Sequence, residues 1–312
     1  MKVFNSFENL GEIQNPVLTI GTFDGVHIGH QKIIQQINQE ADKLNGESVL
    51  LTFYPHPRIV LNPKNHGLSL IQTQKEKLKK LERFGLKNVI VIPFTPEFAN
   101  LSAEDFVLKY LVEKLKVKNI VIGYDHQFGK NREGGVNFLN KLSVKHNFQV
   151  TEIPAQEIND VNISSTRIRK AIENGEIDVA NEYLGETFSF DGEIVKGKQL
   201  GRTIGFPTAN IKILDTTKII PSNGVYQVSI EIKGTKYYGM MNIGERPTVS
   251  DSGIKSIEVN IFDFNDEIYG EIVAVCIFEK VRNEIKFDSI DDLKNQLIID
   301  EKHCYNLIST IK

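Results

Sequence analysis

The hydrophobic pattern of this 312-residue chain changes character once, near residue 185, and that change limits what it can fold into. Before it, short apolar runs alternate with helix-length segments. The runs are VLTIGTF (17–23), SVLLTFYP (48–55), NVIVIPF (88–94), NIVIGYD (119–125) and FQVTEIP (148–154). They are rich in Val and Ile and apolar nearly throughout, as strands covered on both faces of a parallel sheet are. Between them, HQKIIQQINQEADKL places Ile33, Ile34 and Ile37 on one helical face, and TQKEKLKKLERF does the same with Leu78 and Leu81. SAEDFVLKYLVEKL opens with Ser102 three residues before Asp105, close to a capping box. Strand and helix in alternation predict a doubly wound α/β domain over residues 1–185.

After residue 185 the rhythm shortens. FSFDGEIVKG, VYQVSIEI, KYYGMMNIG, SIEVNIFDF and YGEIVAVCIF follow in quick succession, with Gly, Asn and Asp between them. Such spacing predicts an antiparallel barrel or sandwich over residues 186–312, closed by a last helix from about Ser289 to Ile311. The stretch joining the halves, SSTRIRKAIENGEIDVANEYLG, reads as one or two short helices stopped at Gly175 and Gly185.

Charge and cysteine content remove several function classes. Lys and Arg number 37 against 40 Asp and Glu, a net charge of −3, and no long basic block appears, so nucleic acid is not expected as a partner. The two cysteines, Cys276 and Cys304, form neither a metal motif nor a disulfide framework, which suits a reducing compartment. The first residues hold no apolar core of a secretory signal, and no run approaches the roughly 18 apolar residues that span a bilayer. A cytoplasmic protein without a membrane partner is expected, a monomer or weak homo-oligomer.

The chemistry-bearing candidates begin at GTFDGVHIGHQKII (21–34), just past the first strand and opening the first helix. Ligands of open parallel sheets bind beyond the carboxyl ends of the strands, often at a helix N-terminus. Gly21, Gly25 and Gly29 allow close backbone approach, and His27 and His30, three apart, share a helix face. Two imidazoles there serve either to cap and pack the helix or to hydrogen-bond one phosphate group. No GxxxxGK[ST] loop exists in the chain. In the second half, KGKQLGRTIGFPTAN (196–210) spaces Gly197, Gly201 and Gly205 by four around Lys198 and Arg202. That is either a barrel corner or a glycine arch for phosphates. Thr208 and Asn210 then alternate on an extended segment, a hydroxyl and an amide oxygen fit to ligate Mg²⁺. Neither half carries a zinc-ligand constellation or a nucleophile–His–Asp arrangement, so no covalent intermediate is expected.

These stretches carry a family resemblance. HIGH at this position resembles the HxGH signature of the nucleotidyltransferase superfamily, which class I aminoacyl-tRNA synthetases share. ISSTRIR (163–169), TFDGVHIGHQ, TFYPHP (52–57) and GYDHQFG (123–129) resemble the flavin adenylyltransferases over most of residues 15–170. GRTIGFPTAN, PSNGVYQV (221–228), MNIGERPT (241–248) and EVNIFDF with YGE (258–271) resemble the six-stranded riboflavin kinase barrel over residues 186–312. In this order the two halves are similar to the bacterial bifunctional riboflavin kinase/FAD synthetase family. The resemblance implies that the barrel converts riboflavin and ATP to FMN, and that the α/β domain converts FMN and ATP to FAD and pyrophosphate. Mg²⁺ serves at both sites, and no tightly bound redox cofactor is required. A flavin-binding protein retaining only one activity is the alternative.

By position in the motifs, His27 and His30 hold ATP phosphates and the transition state. Gly21, Phe23, Asp24, Gly29, Ser164, Ser165, Thr166 and Arg169 complete that phosphate site, Arg169 being preferred over Arg167 for pyrophosphate. Gly197, Lys198, Gly201, Thr208 and Asn210 hold the other ATP, with Thr208 and Asn210 as metal ligands, and Glu258 is the general base for the ribityl 5′-hydroxyl. Flavin contacts fall to Asp125 and Phe128, to His56, which otherwise serves only its turn, and to Asn242 and Arg246. Arg282 either meets flavin at the barrel mouth or pairs with Glu284. His126 stands where the family usually has Phe, which puts an aromatic stacking role there in doubt.

Overall fold

The computed structural model describes residues 1–62, 67–124, 126–154, 163–197, 200–245 and 255–311. Asp125, Lys198 and Arg246 lie outside the described residues. The chain divides into two compact units, Met1–Leu68 with Gln72–Ser165, and Ser69–Ile71 with Thr166–Lys312.

The first unit holds a six-stranded sheet in the order β1-β4-β3-β2-β5-β6. Its strands are β1 Lys2–Phe4, β2 Val17–Ile20, β3 Ser48–Tyr54, β4 Asn88–Pro93, β5 Asn119–Gly123 and β6 Gln149–Ile153. Every neighbouring pair is parallel. The five apolar runs of the sequence became β2 to β6. β1 has no counterpart among them, being three residues long with Lys2 and Val3 exposed. Alternate side chains feed two cores. Leu18, Ile20, Leu51, Ile90 and Ile120 pack on one side with Phe106 and Leu111. Val17, Leu50, Val89 and Val121 pack on the other with Ile34, Ile37 and Leu81. A strand buried on both faces must be apolar at every position, which is why these runs showed no alternation. Helix α1 (Ile28–Lys43) and helix α2 (Gln74–Arg83) cover the second face. α2 starts with a full capping box between Thr73 and Glu76. The segment after Ser102 is also helical, with Asp105 N donating to Ser102 Oγ at 3.0 Å, but from Phe106 to Lys114 it widens to π-helical turns.

β2 is followed in space by β3 and β4 on one side and by β5 and β6 on the other. The order reverses between β2 and β5, and at such a switch point the loops leaving the two strands diverge and open a crevice.

The second unit is a closed barrel of six strands in the order β10-β11-β8-β7-β12-β9. They are β7 Phe188–Val195, β8 Ala209–Ile213, β9 Gly224–Ile232, β10 Thr235–Glu245, β11 Lys255–Ile261 and β12 Ile272–Arg282. All pairs are antiparallel. Alternation along β7 is strict, with Phe188, Phe190, Gly192 and Ile194 buried. Helix α3 (Ser165–Asn174) and the helix Ile177–Leu184 precede the barrel, and Gly175 and Gly185 end them at φ of +81° and +67°. The two helices before residue 185 group with the barrel, so the second compact unit takes in Thr166 onward. The reason is packing: Asn181 Nδ2 donates to the carbonyls of Ile277 and Phe278 on β12, and Asn181 Oδ1 accepts from Phe188 N. Helix α4 (Ile290–Ile311) ends the chain, with Ser289 Oγ accepting from Asp292 N at 3.1 Å.

Candidate active sites

The switch-point crevice of the first unit is a cavity of about 450 Å³. Gly21, Thr22, Phe23 and His30 line it from the β2 loop, and His126 and Phe128 from the β5 loop. Phe53, Phe94, Phe98 and Phe106 add an aromatic wall, with Pro57 beside them and Arg132 also on its lining. Four of these phenylalanines were not singled out in the sequence. They come from three separate segments and meet edge to face, as Phe53 with Phe94 at 5.5 Å and Phe98 with Phe106 at 5.8 Å.

His27 is the N-cap of α1, and its Nδ1 accepts from His30 N at 3.4 Å. The two imidazoles stack at 3.7 Å between centroids, and Phe23 stacks on the outer face of His30 at 4.4 Å. Gly29 is part of this arrangement, since a Cβ there would sit 3.3 Å from the His27 ring. His30 Nδ1 is buried and has no protein hydrogen-bond partner. Burial, then the charges of His27, Lys80 and Lys77, hold the His30 imidazole well below its ordinary value of 6.5. At neutral pH it is uncharged, one nitrogen a donor and the other an acceptor.

The floor of this loop holds two residues that the sequence reading passed over. Lys77 and Lys80, on α2, are buried at 6% and 4% exposure. Lys77 Nζ donates to Thr22 O at 3.2 Å and to Thr52 Oγ1 at 3.1 Å, and Lys80 Nζ donates to Gly25 O at 3.1 Å. Their signal was available, because Lys77 sits four residues before the core residue Leu81 and Lys80 three after Lys77, on the buried side of an amphipathic helix. Asp24 is buried too, and its Oδ1 accepts from Gln72 N at 3.2 Å. Ser165 Oγ donates to Asp24 O at 2.9 Å, which brings the start of the SSTRIR stretch to the HxGH loop. Ser164 and Thr166 are exposed, and Arg169 is buried on α3. His56 caps the short helix Pro57–Leu61, its Nδ1 accepting from Arg58 N at 3.2 Å.

In the barrel, pairing alone assembles the second site. Asn242 on β10 lies opposite Glu258 on β11, which lies opposite Asn210 on β8. Thr208 Oγ1 donates to Glu258 Oε2 at 3.2 Å, and Ser256 Oγ to Glu258 Oε1 at 3.3 Å. Glu258 is half-buried in a cavity of about 290 Å³ with Thr208, Asn242, Asn260, Arg282 and Leu297 on its walls. A second cavity of about 420 Å³ opens beyond Thr208, lined by Arg202, Pro207, Val259, Phe264 and Tyr269. Thr208 lines both. Gly197 presses on Asn210, where a Cβ would lie 2.1 Å from the amide nitrogen. Gly201 lines the Glu258 cavity, and Gly205 turns at φ +88°. Arg282 does not pair with Glu284. Its Nε and Nη2 grip Asp300 on α4 at 2.8–3.0 Å, while Glu284 accepts from Asn223. Among the described residues, no helix is long and apolar enough to cross a membrane.

Comparison with known proteins gives a family for each half of the chain. The FAD synthetase family model matches residues 11–167, and the riboflavin kinase family model matches residues 184–308. A bifunctional riboflavin kinase/FMN adenylyltransferase of Listeria monocytogenes is 39% identical over 288 residues, covering 92% of this chain and 91% of its own. Those of Buchnera aphidicola subsp. Acyrthosiphon pisum and Escherichia coli K12 are 38% and 37% identical, each covering 96% of both chains. A Streptococcus pneumoniae crystal structure, described as a macrolide-efflux protein, is similar at TM-score 0.88 and 36% identity, covering 97% of this chain and 98% of that one. The chain belongs to the bifunctional riboflavin kinase/FMN adenylyltransferase family and carries both of its halves.

Proposed function

We propose that the family's two reactions are divided between the two cavities, adenylyl transfer at the His27–His30 loop and riboflavin phosphorylation at Glu258. The carrying observation is the ladder Asn242–Glu258–Asn210 with Thr208 bonded to Glu258, which sets a carboxylate on the wall of one cavity beside the threonine that lines both. Riboflavin enters the cavity under α4 and ATP the one beyond Thr208, so that the ribityl 5′-hydroxyl meets the γ-phosphate beside Glu258. Glu258 accepts the hydroxyl proton as the oxygen attacks, and ADP leaves. Thr208, Asn210 and Glu258 offer only hard oxygen donors on the protein side, which suits Mg²⁺, and Gly197 leaves room beside the Asn210 amide. Thr208 and Asn210 would hold the ion, which when bound neutralises phosphate charge.

In the first unit, FMN lays its ring against the phenylalanine wall and presents its phosphate at the loop. That phosphate attacks the α-phosphate of ATP, and pyrophosphate departs. Neutral His30 donates a hydrogen bond to phosphoryl oxygen from the stack, and His27 holds it in line. Ser164 and Ser165 add hydroxyls at the start of α3.

Full-length protein with riboflavin, ATP and Mg²⁺ should yield FMN, then FAD and pyrophosphate. Glu258→Gln should lower FMN formation by about 10²–10⁴-fold and leave FMN-to-FAD conversion unchanged, and His30→Ala should do the reverse. If folded Glu258→Gln loses both conversions, the two-site division is wrong.

A further inference from the structure

Two residues of the β2 loop have left-handed backbone where bulky side chains are rarely found: Phe23 at φ +49° and β-branched Val26 at φ +38°. The peptide unit preceding each sets that angle. Thr22 O belongs to the unit before Phe23, and it accepts from Lys77. Gly25 O belongs to the unit before Val26, and it accepts from Lys80. Each buried ammonium therefore grips the carbonyl immediately ahead of a strained residue. Among the described residues, Asp24 bears on Lys77, and both ammonium groups bear on His30. Burying charge in this way is costly, and α2 could carry methionine or leucine at both positions without loss of its apolar face.

We propose that Lys77 and Lys80 are positioning residues of adenylyl transfer, clamping the peptide units before Phe23 and Val26 so that Phe23, His27 and His30 stay stacked to receive the polyphosphate. Phe23 is the outer member of that stack, and Val26 immediately precedes the His27 cap. The two clamped carbonyls thus bracket the turn that delivers both imidazoles. This inference rests on adenylyl transfer taking place at the His27–His30 loop.

The test uses the full chain with Lys77→Met, Lys80→Met, Lys77→Gln and, as a control, His30→Ala. FMN adenylylation (kcat, with KM for ATP and for FMN) and riboflavin phosphorylation are measured on each preparation, and the His30 titration is followed by NMR. The Met variants should lose about 10- to 100-fold in adenylylation kcat with phosphorylation unchanged, the scale expected when reacting groups are displaced by about 1 Å. Lys77→Gln, which keeps a donor, should recover part of that loss. The His30 titration should move up toward 6.5 in the Met variants simply because an ammonium that lowers it is gone. The readouts a purely structural lysine would leave unmoved are therefore the kcat loss at unchanged phosphorylation and its partial recovery in Lys77→Gln. Lys80→Met carries the same test at the second strained residue should Lys77→Met not fold. Wild-type kcat and KM in folded Met variants overturn the inference, as does a Lys77→Gln no more active than Lys77→Met. If His30→Ala also adenylylates normally, it is the site assignment that fails.

Discussion

Replacing Lys77 should cost activity but little stability at neutral pH, and the stability half can be worked from the structure. Burial, opposed by Asp24, lowers the Lys77 ammonium from 10.5 to about 8. At ~1.4 kcal/mol per pH unit, keeping that charge inside the fold costs about 3 kcal/mol at neutral pH. Lys77→Met removes this cost. It also removes the two hydrogen bonds to Thr22 O and Thr52 Oγ1, which keep only their own bond to each other at 3.2 Å, a loss of about 1–3 kcal/mol. At pH 7 the two effects nearly cancel, so the variant should unfold within about 2 kcal/mol of the parent. At alkaline pH they separate. Below pH 8 the lysine is protonated in both folded and unfolded chains, and the full cost is present. Between about pH 8 and 10.5 the unfolded chain keeps the proton and the folded one gives it up, so the parent gains stability as pH rises. Urea unfolding of parent and variant, followed by circular dichroism from pH 7 to 10.5, isolates this because the other titrating groups cancel in the difference. The parent should gain on the variant by up to ~1.4 kcal/mol per pH unit, about 3 kcal/mol in all. A difference that stays flat from pH 8 to 10 would refute the buried-charge reasoning.

Three other outcomes follow from the geometry. Because the unfolded chain protonates His30 near 6.5 and the folded chain does not, ligand-free protein should lose stability as pH falls below 6.5, by up to ~1.4 kcal/mol per unit from this group, and His30→Asn should flatten that slope in thermal melts. Gly197→Ala places a Cβ 2.1 Å from the Asn210 amide, so riboflavin phosphorylation should fall at least tenfold while FMN adenylylation, measured in the same preparation, does not change. Asp300→Ala strands the Arg282 guanidinium beside the Glu258 cavity, and a buried charge left without its partner costs about 3–5 kcal/mol, so the melt should shift down and the KM for riboflavin should rise.

What could be read in advance follows from which interactions are periodic. Strands β2 to β6 were legible because a strand buried on both faces repeats the same apolar demand at each position, whereas β1 asks too little of Lys2 and Val3 to leave a mark. His27 and His30 were legible because a helix brings residues three apart together, and their stacking at 3.7 Å is local geometry. Glu258 alternates with Ile257 and Val259, and that pattern alone fits a solvated strand face. Only the register that sets it against Asn210 and Asn242, fixed by barrel closure, places it on a cavity wall beside them. The phenylalanine wall was illegible for the same reason, since the switch point between β2 and β5 gathers residues that are remote in sequence.

Arg282 and the α2 lysines failed in more instructive ways. Glu284 was the near neighbour by sequence, but β12 is extended there and Glu284 turns to Asn223, while α4 returns Asp300 to the guanidinium across 18 residues. Charge pairing between elements depends on docking, which no local pattern encodes. Lys77 and Lys80 were legible in principle. An amphipathic helix that spends two positions of its buried side on lysine breaks its own pattern, and the fold keeps such a departure only where the ammonium finds acceptors. Here those acceptors are loop carbonyls beneath the two histidines. A cation out of place on an apolar face therefore points to the backbone it holds, here the loop where we place adenylyl transfer.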